Sequence, residues 1–157
     1  MQTHPFFTDL LLHTDDELAD LLKISIVERQ TIHEWPLSCV QRLLLADGTR
    51  RIYKSQLPPT VEPHFYQAAS SPLLPAYRLL GKLGQCEVMF LDWIDAPLLR
   101  DAATSEADLV EHGRRVINQI AEIKGDLPAY VDIGSREKWQ SVGQGMFEKL
   151  STLLQDK

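Results

Sequence analysis

Two apolar-leaning runs, SCVQRLLLA over 38–46 and TRRIYKS over 49–55, meet at Asp47-Gly48, and no other stretch restricts the fold so much. Asp-Gly readily takes the positive φ that a tight hairpin loop needs, and alternating side chains on either side mark two antiparallel strands. A two-residue loop sets Leu45 against Arg50, Leu43 against Ile52 and Gln41 against Lys54. Gln41, Leu43, Ile52 and Lys54 then share one face of a sheet. A lysine closing such a strand is either solvated or points into a cleft, where it becomes a candidate phosphate ligand.

Around this hairpin the remaining elements follow from local signals. Thr14-Asp15-Asp16-Glu17 has the form of a capping box, with Leu18, Leu21 and Leu22 behind it, and predicts a short helix over 14–23. A further strand is expected within KISIVERQTIHEW. Pro58-Pro59 breaks the chain after Lys54, and Thr60 is the expected cap of a helix running to about residue 69, with Pro63 early enough to be tolerated. AYRLLGKL and QCEVMFLDWI read as two more strands joined at Gly84. The expectation is α+β, with about five antiparallel strands and one helix inserted after the third.

Beyond Asp95-Ala96-Pro97 the pattern becomes helical. Ser105 opens a long helix with Leu109, Val116, Ile117 and Ile120 as its apolar stripe, closed by Gly125 and Pro128, and a last helix spans about 135–155. The expected division is a β-rich part over 1–95 and a helical part over 96–157.

Composition narrows the function classes. A net charge of −6 argues against a general nucleic-acid binder, which shows a basic patch or stripe. No apolar run approaches the roughly 20 residues that a membrane span needs. Cys39 and Cys86 fall in strand-like runs without metal-ligand spacing, which fits buried reduced thiols in a cytoplasmic protein. The histidines are scattered, and His33-Glu34 is not followed by the second histidine of a zinc helix.

An ammonium on a flexible stem needs a carboxylate to hold it in one place. Between Asp47 and Glu87 the only acidic residue is Glu62, in the first turn of the helix after the lysine strand. A Lys54–Glu62 pair is therefore the economical expectation, against two independent exposed charges.

The order of hairpin, strand with lysine, helix with glutamate, two strands and an extended segment resembles the small lobe of a protein-kinase-like fold. More closely, RRIYKS, EPHFYQAA, FLDWIDAPLL and VEHGRRVINQIAEIKGDLP resemble the N-terminal part of aminoglycoside phosphotransferase-type kinases, which phosphorylate small-molecule hydroxyls. The resemblance implies an ATP-binding small lobe followed by the hinge and first helices of an incomplete large lobe. It implies that Lys54 contacts the α/β-phosphates and that Glu62 holds it. Ile52 and Leu43 would cover the adenine ring, Leu91 would back the pocket, and the main chain of Asp92 and Ile94 would bond the adenine edge. Ser38 would be the small polar group of the phosphate-covering turn Trp35–Ser38, which has no glycine. Val88 and Phe90 are expected in the core.

The family's catalytic stretch, His-Gly-Asp followed by Asn, is missing. His112-Gly113 is followed by Arg114, and Asp126 and Asp132 have no matching asparagine. No catalytic or metal residue is assigned; Mg²⁺ and a small-molecule acceptor belong to a complete enzyme. The chain is expected to bind nucleotide without turning over alone, with self-association through an uncovered apolar face. The alternative is a short non-catalytic kinase-like module that binds a partner protein.

Overall fold

The computed structural model describes residues 1–102, 104–128 and 134–155. Two compact units divide the chain, Met1–Leu127 and Pro128–Lys157.

The first unit opens with two short strands, β1 (Gln2–Thr3) and β2 (Leu11–Leu12), paired antiparallel, and α1 (Asp15–Leu22). The capping box at α1 forms as its sequence dictates. Thr14 Oγ1 accepts from Glu17 N, and the Glu17 carboxylate accepts from Thr14 N at 2.8 Å. The apolar face of α1 buries Leu18.

A five-stranded antiparallel sheet follows: β3 (Ile26–Trp35), β4 (Ser38–Leu45), β5 (Arg50–Gln56), β6 (Tyr77–Leu83) and β7 (Cys86–Asp92), in the order β3-β4-β5-β7-β6. Helix α2 (Glu62–Ala68) lies between β5 and β6 in the chain, so the expected α+β arrangement with one inserted helix is observed. The short β1–β2 pair carried too few residues to show a sequence period.

The β4–β5 register corrects the sequence reading. Leu43 pairs with Arg51, Gln41 with Tyr53 and Val40 with Lys54, one residue away from the expected partners. The loop has three residues rather than two: Leu45 N donates to Thr49 O at 2.9 Å across Ala46-Asp47-Gly48. Only Gly48 of the Asp-Gly pair takes positive φ, at 82°, which is the geometry of a three-residue hairpin closing on a left-handed glycine. Asp47 Oδ1 bonds Thr49 N and Oγ1 instead, stabilising the turn through its side chain.

Because side chains alternate, that one-residue change sorts every residue of β4 onto one face or the other. Cys39, Gln41, Leu43 and Leu45 are all buried on one face of β4, and Tyr53 and Ser55 of β5 join them. Cys39, Leu43, Leu45 and Tyr53 form the hydrophobic core with Leu10, Leu12, Leu18, Cys86, Val88 and Phe90, and Gln41 and Ser55 are polar residues buried beside it. Val88 and Phe90 are thus core residues, as expected. Val40, Arg42 and Leu44 are only half-buried on the opposite face.

Helix α2 starts one residue later than its sequence suggested. Val61 is the N-cap, and Thr60 sits before it with Oγ1 accepting weakly from Glu62 N at 3.4 Å. Its far end is tied down by a bridge in which Ser70 N donates to Lys124 O at 2.7 Å. Gly125 makes this approach possible: a Cβ there would lie 1.9 Å from Ala68 O. This glycine therefore serves a close backbone contact rather than the helix stop read from sequence, since α4 (Glu106–Ala121) has already ended. Ser105 caps α4, accepting from Asp108 N at 3.1 Å. A one-turn helix, α3 (Leu99–Ala102), precedes α4. In the second unit, α5 (Arg136–Gln155) is the main element. Among the described residues no helix is long and apolar enough to cross a membrane.

Candidate functional site

Lys54 lies on β5 between Val40 of β4 and Met89 of β7, on the face opposite the core cluster. A central strand with paired neighbours on both sides fixes its backbone. Its Nζ donates to Glu62 Oε2 from the first turn of α2, and both side chains are largely shielded, 20% and 28% exposed. That burial separates the pair from an ordinary surface salt bridge, where screening leaves little net energy. The local path explains the aim: the chain leaves β5 at Gln56, Thr60 Oγ1 donates to Gln56 Oε1 at 3.2 Å, and the helix begins immediately after.

Ile52, Lys54, Ser38 and Leu91 share this face. Ile52 pairs with Arg42 and Leu91 on its two sides, and Lys54 is followed along the strand by Gln56, which pairs with Ser38. The structure therefore brings together Lys54, Glu62, Ile52, Leu91 and Ser38. Leu43 is excluded: it is fully buried in the core on the other face. The residues of β4 that do share the lysine face are Val40, Arg42 and Leu44, which a correct loop length would have named.

Asp92 and Ile94 lie at the strand's exit. The Asp92 side chain pairs with Arg51, and its N–H donates to Ala76 O at 2.8 Å. Any adenine-edge contact by Asp92 would thus have to use its carbonyl. Ile94 follows the strand with its side chain in solvent. Beside them the Arg42 guanidinium stands 5.7 Å over the Trp93 ring, a cation–π contact that closes this end of the face. Trp93 Nε1 is buried without a hydrogen-bond partner among the described residues. Sequence reasoning missed this contact because the two residues lie far apart in the chain and meet only through the register.

The Trp35–Ser38 turn joins β3 to β4 where expected, at the lysine end of the sheet. Pro36 has no N–H, and the Leu37 carbonyl is held by Leu57 N at 2.8 Å. The turn is therefore pinned and poor in donors. For a nucleotide, the fit is good at the apolar side chains Val40, Ile52 and Leu91 and at the held ammonium, and sparse at the turn. A cleft of about 380 Å³ is lined by Leu91 and Asp92 of the candidate set together with Leu22, Arg51, Tyr77 and Phe90. Larger clefts among the described residues lie away from Lys54, one of about 670 Å³ lined by Ser70, Leu73, Gln119 and Lys124 and one of about 590 Å³ lined by Thr8, Leu37, Leu57 and Gln85.

The opposite face holds a second polar constellation that the sequence did not announce. Arg29 of β3 donates from Nε and Nη2 to Gln41 Oε1, at 2.8 and 2.6 Å, and from Nη1 to His13 O and Asp15 Oδ1. Gln41 Nε2 donates onward to Thr31 Oγ1 at 3.0 Å. Burial raises the Tyr53 hydroxyl to about 12, so it stays a neutral hydrogen-bonding group. Burial likewise raises the Cys39 thiol, which leaves it protonated and unreactive at neutral pH. Of the two aspartates considered for catalysis, Asp126 is exposed and Asp132 lies outside the described residues.

Comparisons of the chain with protein-family models, with curated proteins and with solved structures give no match.

Proposed function

We propose that this chain is the N-terminal, nucleotide-binding part of a phosphotransferase resembling the aminoglycoside phosphotransferase type, which moves the γ-phosphate of ATP to a small-molecule hydroxyl. One observation carries the reading: the shielded Lys54–Glu62 pair, formed between a central strand and the helix that follows it. In kinase-like folds a strand lysine held by a helix glutamate is the phosphate-positioning unit. Here Lys54 would meet the α/β-phosphates, Glu62 would hold its ammonium, and Val40, Ile52 and Leu91 would line the base-binding side. The Asp92 carbonyl and the main chain of Ile94 would meet the adenine edge. Mg²⁺ and the acceptor would be engaged by residues of a complete enzyme. Cytoplasmic location belongs to the same reading.

The test is thermal stabilisation by millimolar ATP with Mg²⁺. Wild-type chain is expected to be stabilised, and Lys54→Ala to lose the effect while remaining folded. A wild-type chain indifferent to nucleotide would sink the assignment.

The uncovered apolar residues of α4 suit self-association or partner binding, which both the phosphotransferase reading and a second one, a short non-catalytic kinase-like module that binds a partner protein, expect. Val110, Ile117 and Ile120 are exposed on that helix, and none of its residues is buried. Trp139, Met146 and Phe147 are exposed on α5.

A further inference from the structure

The N-terminal residues 1–14 lie across the core face of the sheet and are fastened to the two residues that bracket Lys54. Ser55 Oγ donates to Leu11 O at 2.6 Å, and the Tyr53 hydroxyl accepts from His13 N at 2.9 Å. Leu10 and Leu12 enter the core between these bonds. At the outer end His4 is held by Glu34 of β3, with Nε2 to Oε2 at 3.0 Å, while its Nδ1 accepts from Phe6 N and Phe7 N.

The hydrogen bonds around the Tyr53 hydroxyl fit one proton order at the Tyr53–His13 contact. The Tyr53 hydroxyl already accepts the His13 backbone N–H, so its single proton is available for His13 Nδ1, 3.1 Å away. That arrangement requires an unprotonated Nδ1. A protonated ring would bring a second donor to the same oxygen and leave the tyrosine proton without its acceptor, in the core.

We propose that residues 1–14 form an acid-released clasp, closed while the His13 ring is neutral and opened when it takes up a proton. The charged groups around His13 come from three elements. Arg29 of β3 donates to His13 O, and its guanidinium stands 5.4 Å from the Tyr53 ring centroid. Asp15 and Glu17 come from α1, the first bonded to Arg29 and the second to the Met1 ammonium. Burial is the main influence lowering the His13 value; Glu17 opposes it, while the Met1 ammonium and Arg29 add to it. A lowered folded value places the clasp energy fully above the free-imidazole value of about 6.5 and removes it as pH falls below. Opening would take two anchors from the lysine strand, but the inference stands on the clasp and is independent of nucleotide binding.

Amide hydrogen exchange on the full chain tests it, with rates corrected for intrinsic pH dependence and compared between about pH 7.5 and about pH 5.5. Peptides covering residues 1–14 are expected to lose protection with pH, by at most about tenfold per unit below about 6.5, while β4 core amides hold. His13→Gln, which cannot take up a proton, is expected to remove the pH dependence. His4→Gln is expected to loosen the clasp while leaving the His13-dependent acid loss in place. A wild-type clasp equally protected at both pH values would overturn the proposal, as would an acid loss that persists in His13→Gln. Should His13→Gln fail to fold, NMR titration of the His13 ring in wild-type chain replaces it. Ring protonation and clasp opening must then share one midpoint, and separate midpoints would overturn the proposal.

Discussion

The two faces of the five-stranded sheet are built from neighbouring residues of the same strands, yet they are finished differently. On one face Cys39, Gln41, Leu43, Tyr53 and Ser55 are sealed beneath the N-terminal segment and α1. On the other, Val40, Arg42, Leu44 and Ile52 stay half-buried, and α2 sets Glu62 against Lys54 in a pair that is largely shielded yet not sealed. Stability is concentrated where side chains are covered on all sides. The proposed binding chemistry belongs where a charge is held but not sealed. One strand, β5, serves both, since Tyr53 and Ser55 point into the seal and Ile52 and Lys54 into the open face.

Substitutions can break that comparison, and the largest effect is expected in the core. Leu43→Ala should destabilise by about 2–5 kcal/mol in urea unfolding. Ile52→Ala, on the open face, should cost roughly 1 kcal/mol because less apolar area leaves water-free surroundings. Equal losses would mean that the faces are not differently packed.

Tyr53→Phe is next, at about 1–2 kcal/mol. It strips the partner from His13 N–H and from His13 Nδ1 without altering the ring's shape. A neutral result would remove the hydroxyl from the account of how the N-terminal segment is fastened.

Lys54→Ala leaves the shielded Glu62 carboxylate without its partner and should destabilise by roughly 1–2 kcal/mol while abolishing the response to nucleotide. A large loss of stability with nucleotide response intact would make the lysine a structural residue and dissolve the contrast between the faces.

The smallest effect concerns acid. Glu17 is drawn down to about 2 by its bond with the Met1 ammonium and by the Thr14 N–H. Its contribution is therefore complete above the ordinary carboxylate value and is lost as pH falls through the folded one. Glu17→Gln should flatten that acid limb slightly, read from melting temperature against pH.

How much of this was legible follows from the physics of each signal. Local signals read well. The Thr14–Glu17 box and the Ser105 cap are bonds between residues three apart, visible in sequence because a helix brings such residues together. The Lys54–Glu62 pair was legible because one lysine strand and one acidic residue left a single economical choice. Register was not legible, since Asp47-Gly48 suits either a two-residue loop or a three-residue loop whose last member alone is left-handed. That one ambiguity moved Leu43 from the candidate site to the core and hid Val40 and Arg42. The Arg29–Gln41–Tyr53–His13 network was invisible for a related reason, because its members meet only when three strands and the N-terminal segment are in register.

Methyl-resolved NMR of the full chain during titration with Mg²⁺ and ATP addresses the central claim most directly. The account predicts shifts at Val40, Ile52 and Leu91, with Leu43, Leu45 and Val88 unchanged and with every shift lost in Lys54→Ala. Shifts on the sealed face, or none at saturating nucleotide, would contradict it.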